Sequence, residues 1–172
     1  MEDIEVRESP IEGLGVFAAR DFGPGERIHR VNVVREVTED SPLREELGEF
    51  LRHCSYPNGK IVLWGHPDRH VNHSCDPNAY ELHEGDTIWI AARRGIEPGE
   101  EITFDYNVAV SGGTGWPCHC GAARCLGECA GDFFRLPEDR QIEYLPLLAD
   151  WFIARHADRI ERLRAKASQA PR

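Results

Sequence analysis

Turn-forming residues cut the first part of the chain into pieces at Gly13, Gly15, Gly23-Pro24-Gly25, Pro57-Asn58-Gly59 and Gly95-Ile96-Glu97-Pro98-Gly99. Glycine adopts backbone angles that other residues avoid, and proline donates to neither a helix nor a central ladder, so the apolar runs between these points are too short for ordinary helices. Ile4, Val6, Val16, Phe17, Ile28, Val31, Val33 and Val34 mark short strands and hairpins over residues 3–35. Further strands are predicted at 61–64, 78–83, 87–92 and 101–106, which makes the class mainly β, built from small sheets. The exception is 42–53: Ser41-Pro42 is a helix start, and Leu43, Leu47, Phe50 and Leu51 recur at helical spacing, predicting a short inserted helix.

Past Tyr106 the pattern changes. Val110-Ser111-Gly112-Gly113-Thr114-Gly115 reads as a flexible linker into a cysteine-rich patch at 118–129. From Pro137 the periodicity is helical. Pro146 lacks a donor and clashes with the turn before it, which predicts a helix at 137–145 and a longer one at 147–166 with an apolar stripe of Leu148, Trp151, Phe152, Ile160 and Leu163. The expected organisation is 1–107, then 108–131 as linker and cysteine segment, then 132–172 as a C-terminal helical extension.

Cys118, Cys120 and Cys125 place three thiols within eight residues, near enough to converge on one ion and too near to pair comfortably with one another. Zinc takes four ligands in a tetrahedron, so a fourth must come from elsewhere, with Cys75, Cys129, Cys54 and His119 as candidates. Disulfides are the competing reading of the six cysteines. No charged-then-apolar leader with a cleavage site is visible, and no apolar run approaches the ~20 residues needed to cross a bilayer. The expectation is therefore a protein that is intracellular, cytoplasmic in a bacterium or nuclear in a eukaryote, whose thiols stay reduced. The net charge of −10 disfavours direct binding to nucleic acid and suits a basic lysine-containing protein or peptide partner. Only the end at 155–172 is basic, with Arg155, Arg159, Arg162, Arg164, Lys166 and Arg172 against Asp158 and Glu161. Glu45, Glu46 and Glu49 on the predicted 42–53 helix read chiefly as a solvated face.

Two further stretches carry chemistry. Val71-Asn72-His73-Ser74-Cys75-Asp76-Pro77-Asn78 crowds an amide, an imidazole, a hydroxyl and a thiol before a turn, and Gly99-Glu100-Glu101-Ile102-Thr103-Phe104-Asp105-Tyr106 is a turn and a strand ending on a tyrosine. A Cys-His nucleophile at His73 and Cys75 is a weak reading, because no base-orienting carboxylate other than Asp76 is near. In order and spacing, R-x-V-N-H-S-C-D-P-N at 69–78, G-E-E-I-T-F-D-Y at 99–106 and C-x-C-x4-C at 118–125, preceded by G-L-G-V-F-A at 13–18, resemble the SET-domain protein-lysine methyltransferases with a zinc-binding post-SET tail.

That resemblance implies a β-clip fold with a knot-like core, in which the 99–106 segment passes beneath 71–78. It implies S-adenosylmethionine on one face, held around Gly13, Leu14, Gly15, Arg69, Asn72 and His73 with Tyr106 alongside, and a lysine entering from the other. It makes Cys75 the fourth zinc ligand with Cys118, Cys120 and Cys125, makes Tyr106 the catalytic hydroxyl, and makes Phe104 the residue that sets how many methyls are added, with two or three expected. Two positions depart from the family. Leu126-Gly127-Glu128-Cys129 stands where an aromatic usually covers the adenine, leaving Phe133 or Phe134 as substitutes, and His70 stands where Phe is common. The implied function is methyl transfer from S-adenosylmethionine to the ε-amine of lysine in a protein, histone among the possible substrates. A catalytically inactive peptide-binding module is the alternative, but it would have no use for Asn72, His73 and Tyr106 together. A zinc-ribbon interaction protein is the third reading; it would ligate zinc through Cys129 in place of Cys75.

Overall fold

The computed structural model describes residues 3–85, 87–108 and 110–169. The remaining positions, among them Arg172 of the basic end and the outermost residues of the expected 1–107 and 132–172 units, lie outside the described residues. Among the described residues twelve short strands run in the order β1 (Ile4–Glu8), β2 (Leu14–Ala18), β3 (Arg27–Arg30), β4 (Val33–Val37), β5 (Cys54–Ser55), β6 (Ile61–Trp64), β7 (Asn72–His73), β8 (Ala79–Glu84), β9 (Thr87–Ala92), β10 (Glu101–Phe104), β11 (Trp116–Pro117) and β12 (Glu128–Cys129). They form sheets ordered β1-β2-β10-β7, β3-β9-β8, β4-β6-β5 and β11-β12. The inward faces of the first three meet in one core of Val16, Phe22, Ile90, Ile96 and Ile102 with neighbours. Burying each such side chain contributes roughly 1.5–3 kcal/mol.

The two motif segments are joined in the first sheet. β10 runs parallel to β7, with Thr103 opposite Asn72 and Phe104 opposite His73. Parallel neighbours so short need side-chain help, and Asn78, 2% exposed, provides it. Its Oδ1 accepts from the Thr103 N–H at 2.9 Å and its Nδ2 donates to the Glu101 carbonyl at 2.8 Å, fixing the strand by backbone atoms on both sides.

Three expectations need correction. The insert at 42–53 is no continuous helix. It holds two single 3-10 turns, Glu45–Leu47 and Leu51–His53, separated at Gly48, whose φ of +73° is left-handed and stops helix propagation. Leu47 and Leu51 are consequently exposed. Glu49 is buried, with its carboxylate taken by Arg44 and Arg35, so it belongs to no solvated face.

The glycine-rich stretch is tied down at Val110, Gly112 and Gly113, and is no free linker. Gly113 N–H donates to the Gly131 carbonyl at 3.0 Å and Phe133 N–H to the Val110 carbonyl at 2.8 Å. A Cβ at Gly113 would stand 2.3 Å from the Gly131 oxygen, which is why side chains are missing there.

The long terminal helix is broken as well. α1 (Glu138–Tyr144) is as expected, but α2 (Asp150–Arg155) and α3 (Ala157–Ala167) are separated at His156, where φ −121° and ψ 30° leave the helical region. The kink lets Phe152, Ile160 and Leu163 converge with Phe133 and Tyr144 in a second core belonging to the extension itself.

Candidate active site

Tyr106 follows β10 and stands at a junction. It lines a cavity of about 290 Å³ with Gly13, Leu14, Arg69, Asn72 and His73, and a second of about 420 Å³ with Phe104, Tyr56, Val108 and Trp151. Its hydroxyl donates to the Val71 carbonyl at 2.7 Å, and its backbone N–H donates to His73 Nδ1 at 3.2 Å. Burial pushes the phenol well above its usual range, so it stays protonated at neutral pH. The Phe104 ring centroid is 4.9 Å away and that of His73 5.4 Å, which holds the tyrosine ring between two packed neighbours.

His73 is buried, and burial lowers its pKa against the pull of Asp105, leaving it neutral. Because Nδ1 accepts from Tyr106, the proton is assigned to Nε2, which faces the Cys75 sulfur at 3.4 Å. The imidazole is thus a strut between Tyr106 and the cysteine cluster.

Asn72 borders the smaller cavity, but its amide is engaged. Nδ2 donates to the Glu12 and Leu14 carbonyls, each at 3.1 Å, and to Glu101 Oε1 at 2.8 Å. The glycine loop is thereby tied to the first motif. Gly15 does not line the cavity; its bare Cα makes room for Glu101, whose oxygen would meet a Cβ at 2.3 Å. Arg69 does line it, and its Nε is buried without a partner, a donor waiting for an acceptor.

The Sγ atoms of Cys75, Cys118, Cys120 and Cys125 lie within 4.8 Å of one another, the one such group of potential metal ligands among the described residues. Ligands about 2.3 Å from a tetrahedral zinc stand roughly 3.8 Å apart. Cys75 and Cys118 sulfurs are 3.8 Å apart, so this pair already has that spacing, and with all four within 4.8 Å the set fits the metal. Backbone N–H groups already point at the sulfurs, from Cys75 to Cys120 at 3.5 Å and from Gly127 to Cys125 at 3.4 Å. The other candidates fall elsewhere. Cys129 is fully buried and turns its thiol to Asn107 Oδ1, Cys54 lines the larger cavity, and His119 lines the smaller one.

Some site residues carried no signal in the sequence. Trp116, in the tail strand β11, lines both cavities, with its ring 6.3 Å from that of Tyr106. Phe133 and Phe134 line neither; both pack in the second core, which corrects the expectation that one of them covers the cofactor. Arg52 also borders both cavities, its guanidinium 4.3 Å over the Phe50 ring.

Parallel motif strands, a tyrosine shared by two cavities and a four-thiol cluster beside it define a small-sheet β protein with a two-sided site. The model of the SET domain matches residues 13–107, and the chain belongs to that family. Among curated relatives, it is 34% identical over 137 residues to the H3 lysine-36 specific histone-lysine N-methyltransferase of Candida albicans, covering 72% of this chain and 16% of that one. It is 33% identical over 136 residues to human histone-lysine N-methyltransferase 2B, covering 72% of this chain and 5% of that one. The chain thus spans a small part of the length of these relatives. A crystal structure from Plasmodium falciparum, assigned by name to the histone methyltransferases, shares the fold with a TM-score of 0.51 and 22% identity over 60% of this chain and 92% of that one.

Proposed function

We propose that the protein transfers methyl groups to the ε-amine of lysine in a basic protein substrate, using S-adenosylmethionine. The observation that carries the reading is Tyr106 at the meeting of two cavities, one for each reactant. S-adenosylmethionine, when bound, supplies an electrophilic methyl on a sulfonium. Arg69, with its unpartnered Nε, and the loop at Gly13 and Leu14 would hold it in the smaller cavity; Asn72 and His73 act by fixing that wall.

The larger cavity is mostly apolar, bounded by Phe104, Val108, Val110, Trp116 and Trp151. A free lysine amine has a pKa near ~10.4, and desolvation between such walls favours the neutral, nucleophilic form. The Tyr106 hydroxyl donates its hydrogen bond to the Val71 carbonyl, which leaves its oxygen lone pairs to accept from the amine. Holding the nitrogen in line supplies much of the rate. Glu12 and Glu81 border the same cavity and, with the negative net charge, suit a basic peptide. Zinc held by Cys75, Cys118, Cys120 and Cys125 would staple the tail, and with it Trp116, against both cavities.

The relatives' names make a histone tail the first substrate to test, with the nucleus as the compartment that goes with it. Labelled methyl from S-adenosylmethionine should appear on lysine in histone H3 or another basic protein. Absence of label from zinc-loaded protein that binds the cofactor, across histones and ribosomal proteins alike, would favour the inactive peptide-binding alternative.

A further inference from the structure

Arg140 lies on α1, outside the part of the chain that matches the SET domain, and is 4% exposed. A buried guanidinium is expensive unless each donor finds an acceptor. Its acceptors here are backbone carbonyls at the cysteine cluster. Nη1 donates to the Cys75 carbonyl at 2.9 Å, and Nη2 donates to the Arg124 carbonyl, directly before Cys125, at 3.1 Å. One planar side chain thus bridges the two segments that bring thiols together, the N-H-S-C turn and the tail. Nη1 also approaches the Tyr144 hydroxyl at 3.5 Å, and Glu143 Oε2 is 3.9 Å away.

The neighbours repeat the arrangement at the surface. Glu143, one turn from Arg140, pairs with Arg124 on the tail at 2.7 Å and with Arg93, whose Nη1 donates to the Pro77 carbonyl at 3.2 Å. Both ends of the cluster are therefore fastened to the same helix. A zinc ion with four thiolates carries a net charge of about −2. Arg140 is the buried cation joined to the backbone of that cluster, and its charge offsets the anion in a medium where screening is weak.

We infer that Arg140 is a positioning residue for the metal: α1 clamps the zinc centre through it, and so sets how long the metal stays bound. The inference rests on the zinc reading of the four cysteines. It assigns the helical extension a part in completing the site, although none of its helices supplies a thiol.

The experiment compares zinc-loaded wild-type protein with Arg140→Met, Arg140→Lys and, as a surface control, Arg135→Gln. Among the described residues the Arg135 side chain pairs with exposed Glu128 and the Ala130 carbonyl. Zinc release to a chromogenic chelator is followed by absorbance, and Co²⁺-loaded samples are checked for the thiolate charge-transfer band and its tetrahedral d–d bands. Loss of a residue supporting the ligands typically costs 10–100-fold in metal affinity, so Arg140→Met should release zinc at least about 10-fold faster. Arg140→Lys should fall between, keeping the charge but not the two-pronged bridge, and the control should match wild type. Equal release from folded Arg140→Met and wild type overturns the clamp. If Arg140→Met does not fold, Arg140→Lys decides: release at the wild-type rate overturns the inference, and faster release with an unchanged melting temperature supports it. Wild type that takes up no zinc or cobalt overturns the metal reading itself, separately from any question about Arg140.

Discussion

The Tyr106 hydroxyl donates to the backbone carbonyl of Val71, one residue before Asn72, at 2.7 Å. This bond fixes the phenol by an atom of the first motif and leaves its lone pairs toward the cavities. Tyr106→Phe keeps the ring packed on Phe104 and His73 but removes the oxygen. Losing one preorganised polar group at a reacting centre costs about 10²–10³ in kcat. Methyl transfer should fall by that factor while cofactor affinity, by calorimetry, stays within a few-fold; an equal loss in both would make the tyrosine a structural residue.

Gly15 offers a second test. Its Cα faces Glu101, which accepts from the Ser9 hydroxyl at 2.8 and 2.9 Å and from Asn72 at 2.8 Å. Gly15→Ala forces a Cβ to 2.3 Å from the carboxylate, displacing it from both partners. Overpacking of this kind costs about 1–3 kcal/mol, and the released Asn72 should loosen the Gly13–Leu14 wall. Thermal melts should show the loss, and the KM for S-adenosylmethionine should rise more than kcat falls.

What the chain discloses depends on the range of the interactions. Tyr106, His73 and the four cysteines sit in local motifs whose order resembles that of the SET domain, and that resemblance implies a shared site; the turn residues forecast most strand positions. The insert at 42–53 misled because helical spacing says nothing about whether Gly48 continues the helix or adopts a left-handed angle. Trp116 was invisible for a different reason: a lone tryptophan beside glycines has no periodicity, and its place follows from a tail folded back by long-range bonds such as Gly113 to Gly131. Arg140 reads as one more charge on a helix until Cys75, 65 residues away, is found beside it.

Glu49 links the insert to acid stability. The Arg44 hydrogen bonds lead the effects that bring its carboxyl from 4.5 to about 2, with burial opposing and Arg35 assisting. A depressed folded-state pKa contributes stability that is complete above the unfolded value near 4.5 and is lost as pH falls toward about 2. Wild-type melting temperature should therefore drop across that window more steeply than that of Glu49→Gln, which forgoes the contribution already at pH 7. Parallel curves for the two proteins would show that the ion pairs do not stabilise the fold.

Phe104 bounds the larger cavity with a ring that carries no hydrogen-bonding atom, 4.9 Å from Tyr106 and 5.7 Å from Trp64. A lysine that has gained a methyl must turn the bulkier nitrogen within that space to receive another. The Phe104 ring cannot itself anchor a water and leaves room for the turn, so exhaustive reaction should yield di- or trimethyl-lysine by mass spectrometry. Phe104→Tyr adds a hydroxyl that occupies part of the space and anchors a water, so its product should stop at fewer methyls while the first transfer proceeds within about 10-fold, a change of roughly 1.4 kcal/mol in barrier. A wild-type product that stops at monomethyl-lysine would place the limit on multiplicity at another wall of the cavity, with Trp116 and Tyr56 the next residues to change.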